Sequence, residues 1–451
     1  MQQTHALSPF LCMSMMFACA AADPGADDCE TMACTGTDAS TSATASEDGS
    51  GDGSSSGGPS SSGDPPSTAD ESTASSSETG DPPAGCAADE LVLRDVSLFQ
   101  TIEIPLARDC TEIPVAQRTA PIVAGKLAMA RVRAEIDPSA DATDLAAAVA
   151  LDGETFTGPC TPMDPAMGTI DLHVEIPGTA MHADAGYSAS VVACDGSPLA
   201  AFPSAGTAAL GAEDTGIIRL HLVPFDVAGF VPDTSQPVLD GFRDALVAYY
   251  PITDVEITVA PVEPDPSEGE LDMNAIMIRV LQMQETAVFA SGDIDPELAD
   301  IYYYGLVSGA ATREEFCDSC PTGTSESGVG DRAGCAVGAA FADALSESTL
   351  VHEMGHMHGL LHSPCGDPSL QDPEFPHADG LTHTEGWDVR TGLFVPADHN
   401  DLMGYCQPRW VSDYHYRKMA EWVHLASSWS DGASAAPPRS RTSAVQCVLD
   451  E

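Results

Sequence analysis

The sequence predicts a multidomain protein. A disordered acidic tether leads into a β-sandwich-like domain, which is followed by an α/β (α+β) domain built on a mixed sheet. Three observations carry this prediction. Residues 23–85 hold thirteen acidic side chains, no basic one and almost no large apolar one. Short apolar runs in strand rhythm recur through residues 86–213. Strand-like and helix-like stretches then alternate through residues 214–431.

The first 22 residues read as an export segment. The apolar run over 7–22 is short and interrupted by Pro9, too little for a transmembrane helix and similar to a signal-peptide core. Met16-Phe17-Ala18-Cys19 resembles a bacterial lipobox, which makes Cys19 a candidate for lipidation. Plain cleavage near Ala20 to Ala22 is the alternative. No Lys or Arg precedes Arg94, so the usual basic leader is missing. Residues 23–85 cannot bury enough apolar surface to offset the entropy of ordering them, which predicts the tether. Cys29 and Cys34 can close a small loop inside it.

In the region 86–213, strands are predicted over 91–97, 100–105, 127–133, 169–175 and 188–193, with Gly, Pro and Asp clusters between them. Cys86, Cys110, Cys160 and Cys194 are candidate staples. His173 and His182 are lone histidines and read as structural.

In the region 214–431, residues 217–224 read as a strand. An amphipathic helix follows over 235–250, with Val238, Phe242, Leu246 and Tyr249 at helical spacing and Pro251 at its end. Further strands are predicted over 255–259, 301–307 and 335–341, and a helix over 271–289. The 335–341 strand is read as edge-like and able to pair with an extended peptide. A helix over 346–358, capped by Ser346, and a last helix over 413–426 complete the domain. The tail, 432–451, reads as loose apart from Cys447.

Charge excludes some partners. With 69 acidic against 17 basic side chains and a net charge of −52, the chain is unsuited to nucleic acid and to anionic membrane surfaces. A monomer is expected, with membrane contact through a lipid only. Fourteen cysteines suit an exported protein, either a cell-surface or outer-membrane lipoprotein or a secreted one. The lone pair Cys317 and Cys320 therefore reads as disulfide rather than zinc-binding.

Chemistry concentrates in His352-Glu353-Met354-Gly355-His356-Met357-His358-Gly359-Leu360-Leu361-His362. Residues four apart share a helix face, so His352 and His356 can ligate one metal ion. Glu353 sits one step round, in reach of a water at the metal but not placed as a ligand. Gly359 can take positive φ and end the helix, which returns His362 to the same metal. Three nitrogen ligands and an open position describe a catalytic zinc site. Chance produces this pattern on the order of 10⁻⁴ times per such chain. His358 is two residues beyond His356 and points elsewhere. His377, His383 and His399 read as loop residues.

This motif resembles that of the metzincin clan of zinc metallopeptidases. Asp401-Leu402-Met403-Gly404-Tyr405-Cys406 is similar to the clan's methionine turn, with Met403 as its methionine. In some members a tyrosine two residues on approaches the metal or the oxyanion, and Tyr405 holds that place. The layout of tether, β-domain and peptidase is similar to surface metallopeptidases of myxobacteria. The resemblance, which spans about 215–430, implies an exported Zn²⁺-dependent endopeptidase acting on peptide or protein substrates, with Glu353 as general base and Tyr405 as candidate oxyanion donor. Two alternatives stay open: a surface binding or adhesion lipoprotein with an inactive domain, and a zinc amidase on a non-protein substrate. A bridge between Cys365 and Cys406 would tie the active-site loop to the methionine turn.

Overall fold

The computed structural model describes residues 86–88, 90–140, 144–267, 271–316, 322–326, 332–366 and 368–430, and the backbone of 447–449. The export segment with Cys19, the acidic tether with Cys29 and Cys34, the Cys317/Cys320 pair and most of the tail lie outside the described residues.

Seven principal strands come first: β1 (Leu91–Arg108), β2 (Ala128–Ile136), β3 (Leu145–Leu151), β4 (Glu154–Thr157), β5 (Thr169–Ile176), β6 (Gly186–Ala193) and β7 (Pro198–Phe202). β1, β2 and β5 pair antiparallel in one sheet, and β7, β6, β3 and β4 in a second. Inward residues of both sheets, among them Leu93, Val132, Val149, Leu172 and Val191, belong to one hydrophobic cluster. Disulfides Cys86–Cys110 and Cys160–Cys194 staple the region.

Two expected strands, 91–97 and 100–105, are one long strand. Residues 96–102 are buried on both faces, so the alternation that marks a half-buried strand disappears in its middle. The sequence reading missed β3 for a related reason. Leu-Ala-Ala-Ala-Val-Ala-Leu is alanine-rich, has low β-propensity and is buried nearly throughout.

The second half opens with β8 (Ile218–Asp226), α1 (Gln236–Tyr249), β9 (Val255–Val259), α2 (Met273–Val288) and β10 (Ile301–Val307). It continues with β11 (Gly323–Glu326), β12 (Cys335–Ala339) and α3 (Ala344–Met357). β13 (Gly386–Asp388), β14 (Leu393–Val395), α4 (Asp413–Ser430) and β15 (Cys447–Leu449) follow. The sheet order is β9-β8-β10-β12-β11-β15. β9, β8, β10 and β12 run parallel, and β11 is antiparallel to β12, which makes the sheet mixed. Alternation along the strands sorts the helices. Leu220, Tyr302, Tyr304 and Ala336 share a cluster with Leu350, Val351 and Met354 of α3, whereas Phe225, Val307, Cys335 and Val337 cluster with Ile276 and Val280 of α2.

The expected edge strand needs correcting. β12 is interior, flanked by β10 and β11, because the short strand β11 folds back beside it. The polar stretch Gly-Thr-Ser-Glu of β11 carries no apolar alternation that would mark it as a strand.

The two halves interlock. β13 and β14 extend the first sheet beyond β1, with Trp387 opposite Thr101. Thr101 Oγ1 donates to Ala248 O at 2.7 Å, and Trp410 Nε1 donates to Thr101 O at 2.9 Å. Lys126 Nζ donates to Val247 O (2.7 Å) and Tyr250 O (2.5 Å), which places its amine, pushed down to about 7 by burial, at the carboxyl end of α1. One core cluster runs from Cys86 to Val423, and the described residues fall in one compact unit. The three described disulfides indicate an extracellular protein. Among the described residues, no helix is long and apolar enough to cross a membrane.

Arg131 is the buried ionic link in this interlock. It pairs with Glu103 at 2.8 Å and with Glu385, which precedes β13. Burial pushes the Glu103 carboxyl up, but the Ser97 hydroxyl, Arg131 and Arg108 outweigh it and hold it below the usual 4.5. Its contribution is therefore complete above pH 4.5 and is lost as pH falls through the lower folded value. Arg131→Met should cost about 3 kcal/mol at neutral pH, because Glu103 keeps its burial and loses its closest cation. Denaturant titration at pH 7 and pH 3 measures this, and the deficit should shrink at pH 3.

Candidate metal centre

α3 delivers the first two histidines. Asp343, not the expected Ser346, caps it: Asp343 Oδ1 accepts from Ser346 N and Ser346 Oγ, each at 2.8 Å. The Ser346 hydroxyl also accepts from Phe341 N at 2.7 Å and so closes the turn into the helix. Arg313 Nε reaches Asp343 Oδ2 at 2.6 Å. Burial would raise the Asp343 carboxyl, but Arg313 and Ser346 prevail and bring it down to about 2. The cap is therefore an anion at the positive end of the helix.

The other end closes around glycine. Gly359 has φ +76°, its N–H donates to His356 O (2.8 Å), and Leu360 N donates to Gly355 O (3.0 Å). This is the paired bonding of a Schellman turn, with a left-handed residue that glycine adopts freely. The chain then reverses, and a parallel bridge between His362 and Gln371 holds the third histidine. His362 N donates to Leu370 O at 3.2 Å, and Asp372 N donates to His362 O at 2.7 Å.

The structure brings His352, His356 and His362 together. One ring nitrogen from each lies within 4.8 Å of the others, and all three residues are buried. His356 Nε2 and His362 Nε2 are 3.1 Å apart. Each Nδ1 faces a backbone carbonyl: His352 that of Leu402 (3.0 Å), His356 that of Leu360 (2.8 Å), and His362 that of Ser369 (2.5 Å). A carbonyl only accepts, so each Nδ1 carries the proton and each Nε2 presents a lone pair. Two imidazole lone pairs facing each other at 3.1 Å repel unless a cation lies between them. Ligands about 2.05 Å from a tetrahedral zinc ion stand about 3.3 Å apart, so this donor set fits such an ion.

Glu353, 1 % exposed, does not belong to that ligand group. Its carboxylate lies against β11, where a Cβ added at Gly323 would collide with it. His358 is packed among Tyr250, Tyr302 and Trp422, and burial pushes its imidazole down to about 3, so it is neutral core.

The methionine turn lies beneath the histidines. Met403 is fully buried, and a Cβ at Gly355 would overlap its sulfur, so the thioether rests on the helix between His352 and His356. Tyr405 is half-buried, its ring centroid 5.0 Å from that of His362 and 6.2 Å from that of His352. Cys365 and Cys406 are disulfide-bonded with Cα atoms 5.6 Å apart, and Tyr405 N donates to Cys365 O at 2.9 Å.

Sequence reasoning missed two supports. Asp401 Oδ1 accepts from Met403 N (2.8 Å) and lies 2.8 Å from His415 Nδ1, while its Oδ2 accepts from Ser412 N (3.1 Å). Both side chains are fully buried. Asp372 Oδ2 accepts from Lys418 Nζ (2.9 Å) and from the Tyr414 hydroxyl (3.0 Å), which ties α4 to the loop carrying His362. Only an acid directly before the methionine turn, and one of the chain's two lysines, hinted at them.

Burial pushes the Asp401 carboxyl up, but His415, the Ser412 side chain and the N–H of Met403 outweigh it and hold it below the usual 3.8. The stability it supplies is complete above pH 3.8 and is lost as pH falls through the folded value. Asp401→Ala should cost about 3 kcal/mol. It should also weaken metal binding by about 10- to 100-fold, because Leu402 O no longer holds His352. Denaturant titration and competitive metal titration measure the two effects.

Residues 263–422 match the model of the family described as Peptidase M66. That span, 160 of the 451 residues, contains the three histidines, Glu353, Met403 and Tyr405. A comparison with curated proteins finds no match. The family is metal-dependent, so the match and the histidine cluster together support a metal-binding peptidase.

Proposed function

We propose that this protein is an exported zinc endopeptidase of metzincin type. The observation that carries the reading is the convergence of three Nε2 atoms whose Nδ1 atoms are all committed to backbone carbonyls. His352, His356 and His362 would hold the ion. When bound, zinc supplies an acidified water near neutral pH and polarises the scissile carbonyl.

The chain's own residues do the rest. Glu353 takes the proton of the attacking water and returns it to the leaving amine. Its burial beside Gly323 keeps it on the side of the helix that faces β11. The Tyr405 phenol donates to the oxyanion as it develops. The disulfide Cys365–Cys406 holds that tyrosine against the loop of the third histidine. An extended peptide pairs along β11, the strand that runs past Glu353. Export suits the disulfides, and Cys19 is the residue a lipid would take.

The retained Glu353 speaks against an inactive binding module, which has no use for the base. Full-length protein tested on a diverse peptide library, with zinc content measured in parallel, decides the matter. Glu353→Gln should keep its zinc and lose about 10²- to 10⁴-fold in kcat. His362→Ala should lose the metal. Cleavage that survives Glu353→Gln contradicts the mechanism, and bound zinc without cleavage by the unmutated chain favours the binding module.

A further inference from the structure

β11 would be the last strand of its sheet, but its outer edge is occupied. β15 pairs with it antiparallel, Thr324 opposite Leu449, Ser325 opposite Val448 and Glu326 opposite Cys447. A sheet edge offers a row of N–H and C=O groups to any extended chain. This edge adjoins the proposed base, because Gly323, the residue next to the paired stretch, packs on the Glu353 carboxylate. The strand itself is buried and polar: Thr324, Ser325 and Glu326 are each at most 4 % exposed.

We propose that Cys447–Leu449 is a built-in occupant of the peptide-binding edge, which stands where an extended polypeptide would pair and competes with it. The kinetic consequence rests on the peptidase reading; the pairing does not. Residues 431–446 join the end of α4 to β15. Sixteen residues reach at most about 55 Å when extended. Because β15 belongs to the same chain, its pairing is intramolecular, and a free peptide competes with a covalently attached segment. Three paired residues bind weakly by themselves, so the covalent attachment sets the balance. Weakly bound peptides are excluded, and a peptide with further contacts displaces the segment.

The experiment uses the full chain carrying Val448→Pro, which removes an N–H and the extended pairing without touching the proposed machinery. Three readouts are compared with the unmutated chain: amide exchange at 324–326, binding of a fluorescein-labelled synthetic peptide copying residues 444–451, and KM and kcat for a cleaved peptide. The proposal expects exchange at 324–326 to speed up about 10-fold or more. It expects the labelled peptide to bind about 10-fold more tightly, and KM to fall by a similar factor at constant kcat. Unchanged exchange and unchanged peptide binding overturn the occupancy. Faster exchange with unchanged KM overturns the competition. Exchange and binding need no turnover, so a chain that cleaves nothing refutes the peptidase reading while these two readouts still decide the occupancy.

Discussion

The structure depends on three hydrogen bonds from imidazole Nδ1 groups to backbone carbonyls. The acceptors belong to three separate segments: Leu360 just beyond α3, Ser369 in the following loop, and Leu402 at the methionine turn. Each bond sets one tautomer and one ring orientation, and together they aim three lone pairs at a single point. The segments must therefore hold their relative positions to within a few tenths of an ångström. Much of the surrounding architecture serves that requirement. The Gly359 turn places Leu360, the Asp372–Lys418 pair ties down the loop of Ser369, and the buried Asp401–His415 pair shapes the turn at Leu402. The disulfide Cys365–Cys406 links the second of these regions to the third.

The β-region takes part in this support. β13 comes from the long loop between His362 and Met403, yet it pairs with β1 of the first sheet. Trp410, just beyond the methionine turn, donates to Thr101 in the same strand. The loop that separates the third histidine from the methionine is thus anchored on a strand laid down about 285 residues earlier. Arg131, held between Glu103 and Glu385, adds an ionic tie at the same seam. A chain with few basic residues places several of them at such junctions: Lys126 at the end of α1, Arg313 at the cap of α3 and Lys418 at the third-histidine loop.

Much of this was legible in the sequence, wherever a local pattern carried the information. The strands at 255–259 and 301–307 fall where apolar runs put them, and the helices of the second half match to within a few residues. The histidine spacing foretold the convergence of the three histidines because helix geometry and one glycine turn decide it locally. What escaped was non-local. The cap of α3 shifts to Asp343 because Arg313, thirty residues earlier, fixes that carboxylate. β12 is interior because a polar strand, β11, pairs beside it, and β11 has no periodicity to read. The second-half strand that joins the first sheet at β1, β13, is three residues long and pairs with it at Thr101 and Ile102. Asp401 and Asp372 look like any other acid in a chain with 69 of them.

The central claim is that the three Nε2 atoms hold one catalytic zinc ion. X-ray absorption at the zinc edge of the full-length, zinc-loaded protein tests it most directly. The expected result is one zinc ion per chain, with three nitrogen ligands and one oxygen ligand at about 2.0–2.1 Å and no sulfur. A shell containing sulfur at about 2.3 Å would contradict it, as would a chain that retains no stoichiometric zinc.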